Sequence, residues 1–225
     1  MSSDPEPRRP RRGRPPAGRP RLTREAILAT ALALVDAHGL DALTMRRLAG
    51  ELGADPMSIY HHLPGKDAIV SGLVGVVFAE MRPPEDAGTW DERVLGWARA
   101  YRGLARAHPN LVLQIVTDAA AVGEAAVLVD EPLYAALESA GLPPTTIVHA
   151  AGLLVDYVNG FVLAEAGPTA GQADDTIADA LDRHDPDRFP VQRRVHAAAE
   201  PGGGFEAGLD IVLRGIRTLV PGRPG

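Results

Sequence analysis

The chain has 225 residues, 45% of them apolar and only 4% aromatic, with no cysteine and a formal charge of −6. That length holds one large or two small domains around a core built mainly from Ala, Leu and Val, and the missing thiols exclude disulfides and thiolate chemistry. The charge is unevenly spread: residues 1–24 hold eight arginines against Asp4 and Glu6, a net +6, so the rest of the chain carries −12.

Residues 1–21 are rich in Pro and Arg and show no apolar periodicity, so they are expected to form a disordered arm. The start is polar and basic, without the apolar core of a signal peptide. Within it, Arg12-Gly13-Arg14-Pro15 is similar to an AT-hook core, which makes Arg12 and Arg14 candidates for phosphate or minor-groove contact. The spacing of Ile27, Ala31, Leu34 and Val35 predicts a helix over 23–38, stopped at Gly39. Thr44 then starts a short helix carrying Met45, Leu48, Ala49 and Leu52 at helical spacing. Gly53 suits a left-handed turn, and Asp55 with Pro56 suits the cap and first turn of a second short helix. Two short helices joined by such a turn make a helix-turn-helix, whose second helix enters the DNA major groove.

A further helix is expected over 67–81, with Ile69, Val70, Leu73, Val74, Val77, Phe78 and Met81 on one broad apolar face, ended by Pro83-Pro84. The polar stretch 83–90 reads as the domain boundary. Beyond it, helices are expected over 91–107, 111–117, 124–140, 145–166, 191–200 and 205–220. Residues 167–190 read as a long acidic loop with at most a short helix. No strand alternation and no repeat of fixed period occurs. The fold class is therefore all-α, with an arm (1–21), a three-helix helix-turn-helix domain including its connecting helix (22–82), and a larger helical domain (90–221).

The stretch from Leu22 to about Leu73 resembles the N-terminal domain of the tetracycline-repressor (TetR) family of transcriptional regulators, in TREAILATALALVDAHG, GLDALTMRRLAGELG, the run Ile59-Tyr60-His61-His62-Leu63, and Lys66 at the next helix start. The resemblance covers roughly a quarter of the chain, and its motif order and spacing are specific. It implies a soluble cytoplasmic homodimer that binds a pseudo-palindromic operator in double-stranded DNA and releases it when a small molecule occupies the larger domain. It also implies that Met57, Ser58, His61 and His62 face DNA while Ile59 and Leu63 face inward. Tyr60 is expected to pack its ring on the domain and offer its hydroxyl to a phosphate. Thr44, Arg46, Arg47 and Lys66 complete the DNA set, with Arg46 the guanine candidate and Lys66 a phosphate candidate.

Other motifs are weaker. His61 and His62, adjacent on a helix, point about 100° apart and cannot share one ion, so no metal is expected. Gly202-x-Gly204-x-x-Ala207 lacks the strand and the acidic partner of a dinucleotide site and reads as a helix break. No nucleophile elbow or phosphate loop occurs, which argues against an enzyme and against a cofactor. The uncharged stretch 139–155 is too short to span a membrane. In the larger domain, Trp97, Tyr101, Gln114, Asp118, His149, Asp156, Tyr157 and Asn159 lie among apolar neighbours, as pocket-lining groups do. By analogy with the family, the helices over 145–166 and 205–220 make the dimer interface, with Ile147, Leu154, Phe161, Leu209 and Leu213 as its apolar members. Two alternatives stand beside this reading: a DNA-binding regulator without a ligand, and an all-helical enzyme with an appended DNA-binding domain.

Overall fold

The computed structural model describes residues 22–82, 88–111, 119–166, 173–198 and 204–222, and every regular element among them is helical. In chain order these are α1 (Arg24–His38), a 3-10 turn (Leu40–Ala42), α2 (Met45–Leu52), α3 (Pro56–Tyr60), α4 (Lys66–Phe78) and α5 (Trp90–Ala107). There follow α6 (Ala119–Ser139), α7 (Pro144–Ala166), α8 (Ala173–Asp182), a second 3-10 turn (Pro186–Arg188), α9 (Pro190–Ala198) and α10 (Gly204–Arg217). Arg12, Arg14, Gln114 and Asp118 lie outside the described residues.

The first four helices form one unit. Thr23 caps α1 by accepting from the Ala26 amide, and Ile27, Leu28, Ala31, Leu34 and Val35 are buried at the expected helical period. Against them pack α2 and α4, the latter through Ile69, Leu73, Val74 and Val77. The connecting helix is shorter than the 67–81 expected: α4 ends at Phe78, and Met81 is buried past its end. Pro83-Pro84 account for the stop, since Pro83 has no N–H to offer the Ala79 carbonyl; the Arg82 guanidinium donates to the carbonyls of Ala79 and Met81 instead.

The second unit is built on α5, α6 and α7, with α4 packed on α6 and α10 on α7. A capping box starts α5, where the Glu92 carboxylate accepts from the Thr89 amide at 2.7 Å. The described part of α6 already includes Ala119, ahead of the expected start at 124, in line with the helix preference of its Ala-rich first residues. α7 is long and apolar enough to cross a membrane by composition, since it runs on through Asp156 to Glu165 beyond the uncharged stretch. Its Leu154, Val158 and Val162 are buried against neighbouring helices, so part of that apolarity is core packing.

Ion pairs lock α10 in place. Arg99 of α5 makes a two-pronged bond to Glu206 (3.0 and 2.7 Å), and Arg217 reaches Asp91 at 2.5 Å. Arg102 pairs with Glu165 and stands 4.4 Å over the Phe205 ring, inside a cluster of Tyr157, Phe161 and Phe205. The Tyr157 hydroxyl donates to the Gly204 and Phe205 carbonyls, and a Cβ at Gly208 would collide with it, so glycine there permits the close approach of α7 and α10.

Candidate DNA interface and effector core

The helix-turn-helix follows from three local devices. The Thr44 hydroxyl accepts from the Arg47 amide at 3.2 Å and starts α2. Gly53 adopts φ 57°, the left-handed conformation that ends a helix without a Cβ penalty. Asp55 accepts from the Met57 amide at 2.8 Å, with Pro56 in the first turn, and so restarts the chain as α3. Leu48, Ala49, Ile59 and Leu63 are buried and hold α3 at a fixed angle to α2.

That anchoring leaves a contiguous exposed surface. Met57 is 62% exposed, and Ser58, His61 and His62 stand beside it in open solvent. Tyr60 is 44% exposed, beyond the inward face that Ile59 and Leu63 fill. His61 and His62 are not within the recognition helix; α3 ends at Tyr60, His61 is its C-cap, and both lie in the turn that follows. Arg46 and Arg47 are exposed in the first turn of α2. Lys66 opens α4, and its ammonium donates to the Leu40 carbonyl at 3.1 Å, tying the start of α4 to the 3-10 turn. Thr44, Arg46, Arg47, Met57, Ser58, Tyr60, His61, His62 and Lys66 thus surround one helix-turn-helix, and each is exposed.

In the second unit the polar candidates separate into two groups. Trp97 is buried and donates its indole N–H to the Val129 carbonyl at 2.9 Å. Tyr101 stacks between Trp97 and Phe78, with ring centroids 5.7 and 6.0 Å away, and donates to the Asn159 side chain at 2.8 Å. Burial pushes the Tyr101 hydroxyl up to about 12, with the Asp130 charge adding to the effect. These side chains converge where α4, α5, α6 and α7 meet. His149 and Asp156, expected beside them, are exposed on the outer side of α7, because Ile147, Ala150, Ala151, Leu154 and Val158 take the inward positions.

Asp130 is the residue that sequence reasoning missed. Burial raises its carboxyl to about 6. A signal was available: it stands three and seven residues before the buried Leu133 and Leu137, a helical spacing that turns it inward. Well below 3.8 the carboxyl is neutral in both folded and unfolded chains, and the cost of burying its charge accrues as the pH rises from there to about 6. Asp130→Asn is therefore expected to stabilise the protein at neutral pH by about 1–2 kcal/mol once solvent screening is allowed for, and to have little effect well below 3.8. Urea unfolding at the two pH values checks this; equal effects at both would mean the carboxylate carries no burial cost.

The interface residues expected on α7 and α10 need correction. Ile147, Leu154, Leu209 and Leu213 are buried inside the single chain, and Phe161 is half-buried in the cluster with Tyr157 and Phe205. Their helices carry apolar side chains on two faces, and the inner one is consumed by α5, α6 and the α7–α10 contact. Val148, Leu153 and Ile211 are the large apolar side chains those two helices leave exposed.

Comparison with known proteins matches both units. The family described as "Bacterial regulatory proteins, tetR family" matches residues 27–73, and "Tetracyclin repressor-like, C-terminal domain" matches residues 82–220. An HTH-type transcriptional regulator of Saccharopolyspora erythraea is 32% identical over 149 residues, covering 66% of this chain and 63% of that protein. The HTH-type transcriptional repressor DrrR1 of Streptomyces coeruleorubidus is 33% identical over 155 residues, covering 68% of this chain and 56% of that protein. The chain therefore spans less than two thirds of the length of these two relatives. Among solved structures, apo ActR from Streptomyces coelicolor superposes with a TM-score of 0.76 at 30% identity, covering 88% of this chain and 96% of ActR. ActR has also been solved in complex with actinorhodin, at a TM-score of 0.74 and 29% identity to this chain.

Proposed function

Because the chain belongs to the TetR family of transcriptional regulators, we propose that it represses transcription by binding a pseudo-palindromic operator as a homodimer, and that a small molecule releases it. The observation that carries this reading is the exposed set Met57, Ser58, Tyr60, His61 and His62, presented by α3 and the turn after it, whose inward side is anchored by Ile59 and Leu63. Ser58 and His61 can donate to base edges, and Met57 can touch a thymine methyl. Arg46 reaches a guanine from α2, and Arg47, Tyr60 and Lys66 serve phosphates. Two such surfaces must reach major-groove faces about one helical turn, ~34–36 Å, apart.

The division of labour is an arm over 1–21, a DNA-binding part over 22–82 and an effector and dimerisation part over 90–221. The effector core lies around Trp97, Tyr101, Asn159 and Asp130, and ActR with its bound actinorhodin supports a ligand in a protein of this shape. An effector shifts the equilibrium between DNA-competent and released states only by its differential affinity for the two. α4, packed on α1 at one end and running into the effector core through Phe78, carries the change between the units. Val148, Leu153 and Ile211 form the dimer face on α7 and α10. The protein works in the cytoplasm, where its operator is, and acts as a regulator rather than an enzyme, in line with the names of its relatives.

A random-oligonucleotide selection with the purified protein should enrich one pseudo-palindrome; enrichment of nothing removes the central claim. The Arg-rich arm is expected to add affinity without specificity, since arginines attract any phosphate backbone whatever its sequence. Each phosphate it neutralises steepens the fall of log affinity with log salt by ~0.9. Deleting residues 2–21 should flatten that slope while the enriched half-sites stay the same. An unchanged slope would make the arm a passive tail.

A further inference from the structure

A cavity of about 300 Å³ opens between α6 and α7, away from the effector core. Leu133, Ala136 and Leu137 are fully buried and turn one face of α6 into the core. Glu131, Tyr134, Ala135 and Glu138 therefore stand on the opposite face, where they form one wall of the cavity. Pro144, Ile147 and Val148, in the first turns of α7, form the other wall. The volume is enough for a small molecule. Val148 is shared with the dimer face proposed above, and the rest of the lining lies outside that face.

The lining has a definite chemical order. Seven residues carry an α-helix through almost two full turns, so Glu131 and Glu138 lie in one row, about 10 Å apart along α6. Between them the wall is Tyr134 and Ala135, and the facing wall is aliphatic. The cavity is thus an apolar trough with a carboxylate toward each end. Among the described residues neither glutamate makes an ion pair. Arg93, which reaches α6 from α5, ends on the Ser139 hydroxyl instead. A neutral or anionic occupant leaves both charges unmatched, and a monocation matches only one.

We propose that this trough is a second ligand site, distinct from the effector core, and that it takes a linear aliphatic diamine or polyamine with ammonium groups spaced like the two carboxylates. Each ammonium meets one carboxylate near solvent, where a single ion pair contributes little. Joining the two through one hydrocarbon chain makes the second contact intramolecular and so raises affinity. The chain removes apolar surface of Ala135 and Ile147 from water, and the Tyr134 ring attracts a nearby cation. Because the hydrocarbon lies between α6 and α7, the bound ligand ties the two helices together and stabilises the folded chain. The site is independent of the DNA-binding reading.

Isothermal titration calorimetry of the full chain, without DNA and at fixed ionic strength, compares α,ω-diaminooctane, α,ω-diaminobutane and octylamine at neutral pH, where all three are protonated. The first is long enough to reach both carboxylates, the second is too short, and the third carries a single charge. Diaminooctane should bind about tenfold more tightly than either of the others. Glu131→Gln and Glu138→Gln should each bring it down to the level of octylamine. Both side chains are exposed, so the variants keep their fold, which far-ultraviolet circular dichroism checks. Asp187→Asn removes an exposed charge of the same sign in the second 3-10 turn and should leave binding unchanged. Equal affinity for the three amines would overturn the proposal, as would no binding of diaminooctane at millimolar concentration. An equal loss in Asp187→Asn and the two glutamate variants would overturn it too, since the attraction would then belong to the acidic body as a whole.

Discussion

Ile211→Asp is expected to give a folded monomer, and Leu213→Asp a chain that does not fold. The two residues sit on opposite faces of α10, two positions and about 200° apart. Ile211 is 71% exposed, whereas Leu213 is 1% exposed. A carboxylate at 213 enters the core beside Leu209 and Ile216 with no cation to meet it, a penalty of several kcal/mol that rivals the ~5–15 kcal/mol stability of an ordinary domain. A carboxylate at 211 costs the single chain almost nothing. In a two-fold dimer the same surface meets itself, so the new charge is buried twice and without a partner. Sedimentation velocity and far-ultraviolet circular dichroism separate the two effects. A dimeric Ile211→Asp at micromolar concentration would place the interface on another face of the molecule.

Arg46→Ala and His61→Ala are each expected to lower operator affinity by ~1–3 kcal/mol, roughly 5- to 150-fold, and to relax preference at particular base positions. Both side chains are exposed, so these losses should come without a change in thermal stability. Lys66→Ala should behave differently. Its ammonium serves the Leu40 carbonyl in the free protein, so the substitution loosens the start of α4 as well as removing a phosphate contact. Binding to all sequences should weaken alike. Selections repeated with each variant measure this directly. An unchanged base preference for both Arg46→Ala and His61→Ala would mean that sequence is read by other residues or through DNA shape.

The helix-turn-helix was legible in the chain because each of its devices is local. Thr44 capping α2, Gly53 in the left-handed turn and Asp55 with Pro56 starting α3 each act within three residues, and all three occur where the sequence places them. The family resemblance rested on the same stretch and is matched by the comparison over residues 27–73. Boundaries were less secure where a distant or unusual side chain decided them. Pro83-Pro84 announce the end of α4, but periodicity carries the apolar face on to Met81, three residues past the last helical one. A five-residue α3 likewise leaves His61 and His62 in a turn that sequence reading had counted as helix.

Sequence alone determined most of the helical segments, the helix-turn-helix and the family the chain joins, because caps, turn residues and apolar periods report on interactions a few residues long. Only the tertiary structure decided which apolar face each later helix spends on its own chain. Periodicity marks Leu154, Leu209 and Leu213 as apolar but says nothing about whether α5 and α6 or a second copy will cover them. It also decided the polar corners: Asp36 and His108 stand 72 residues apart, and Arg99 and Glu206 stand 107 apart. Such pairs form only once several helices have packed, since the free energy that brings them together is the burial of the helices between them rather than any preference of the two side chains themselves.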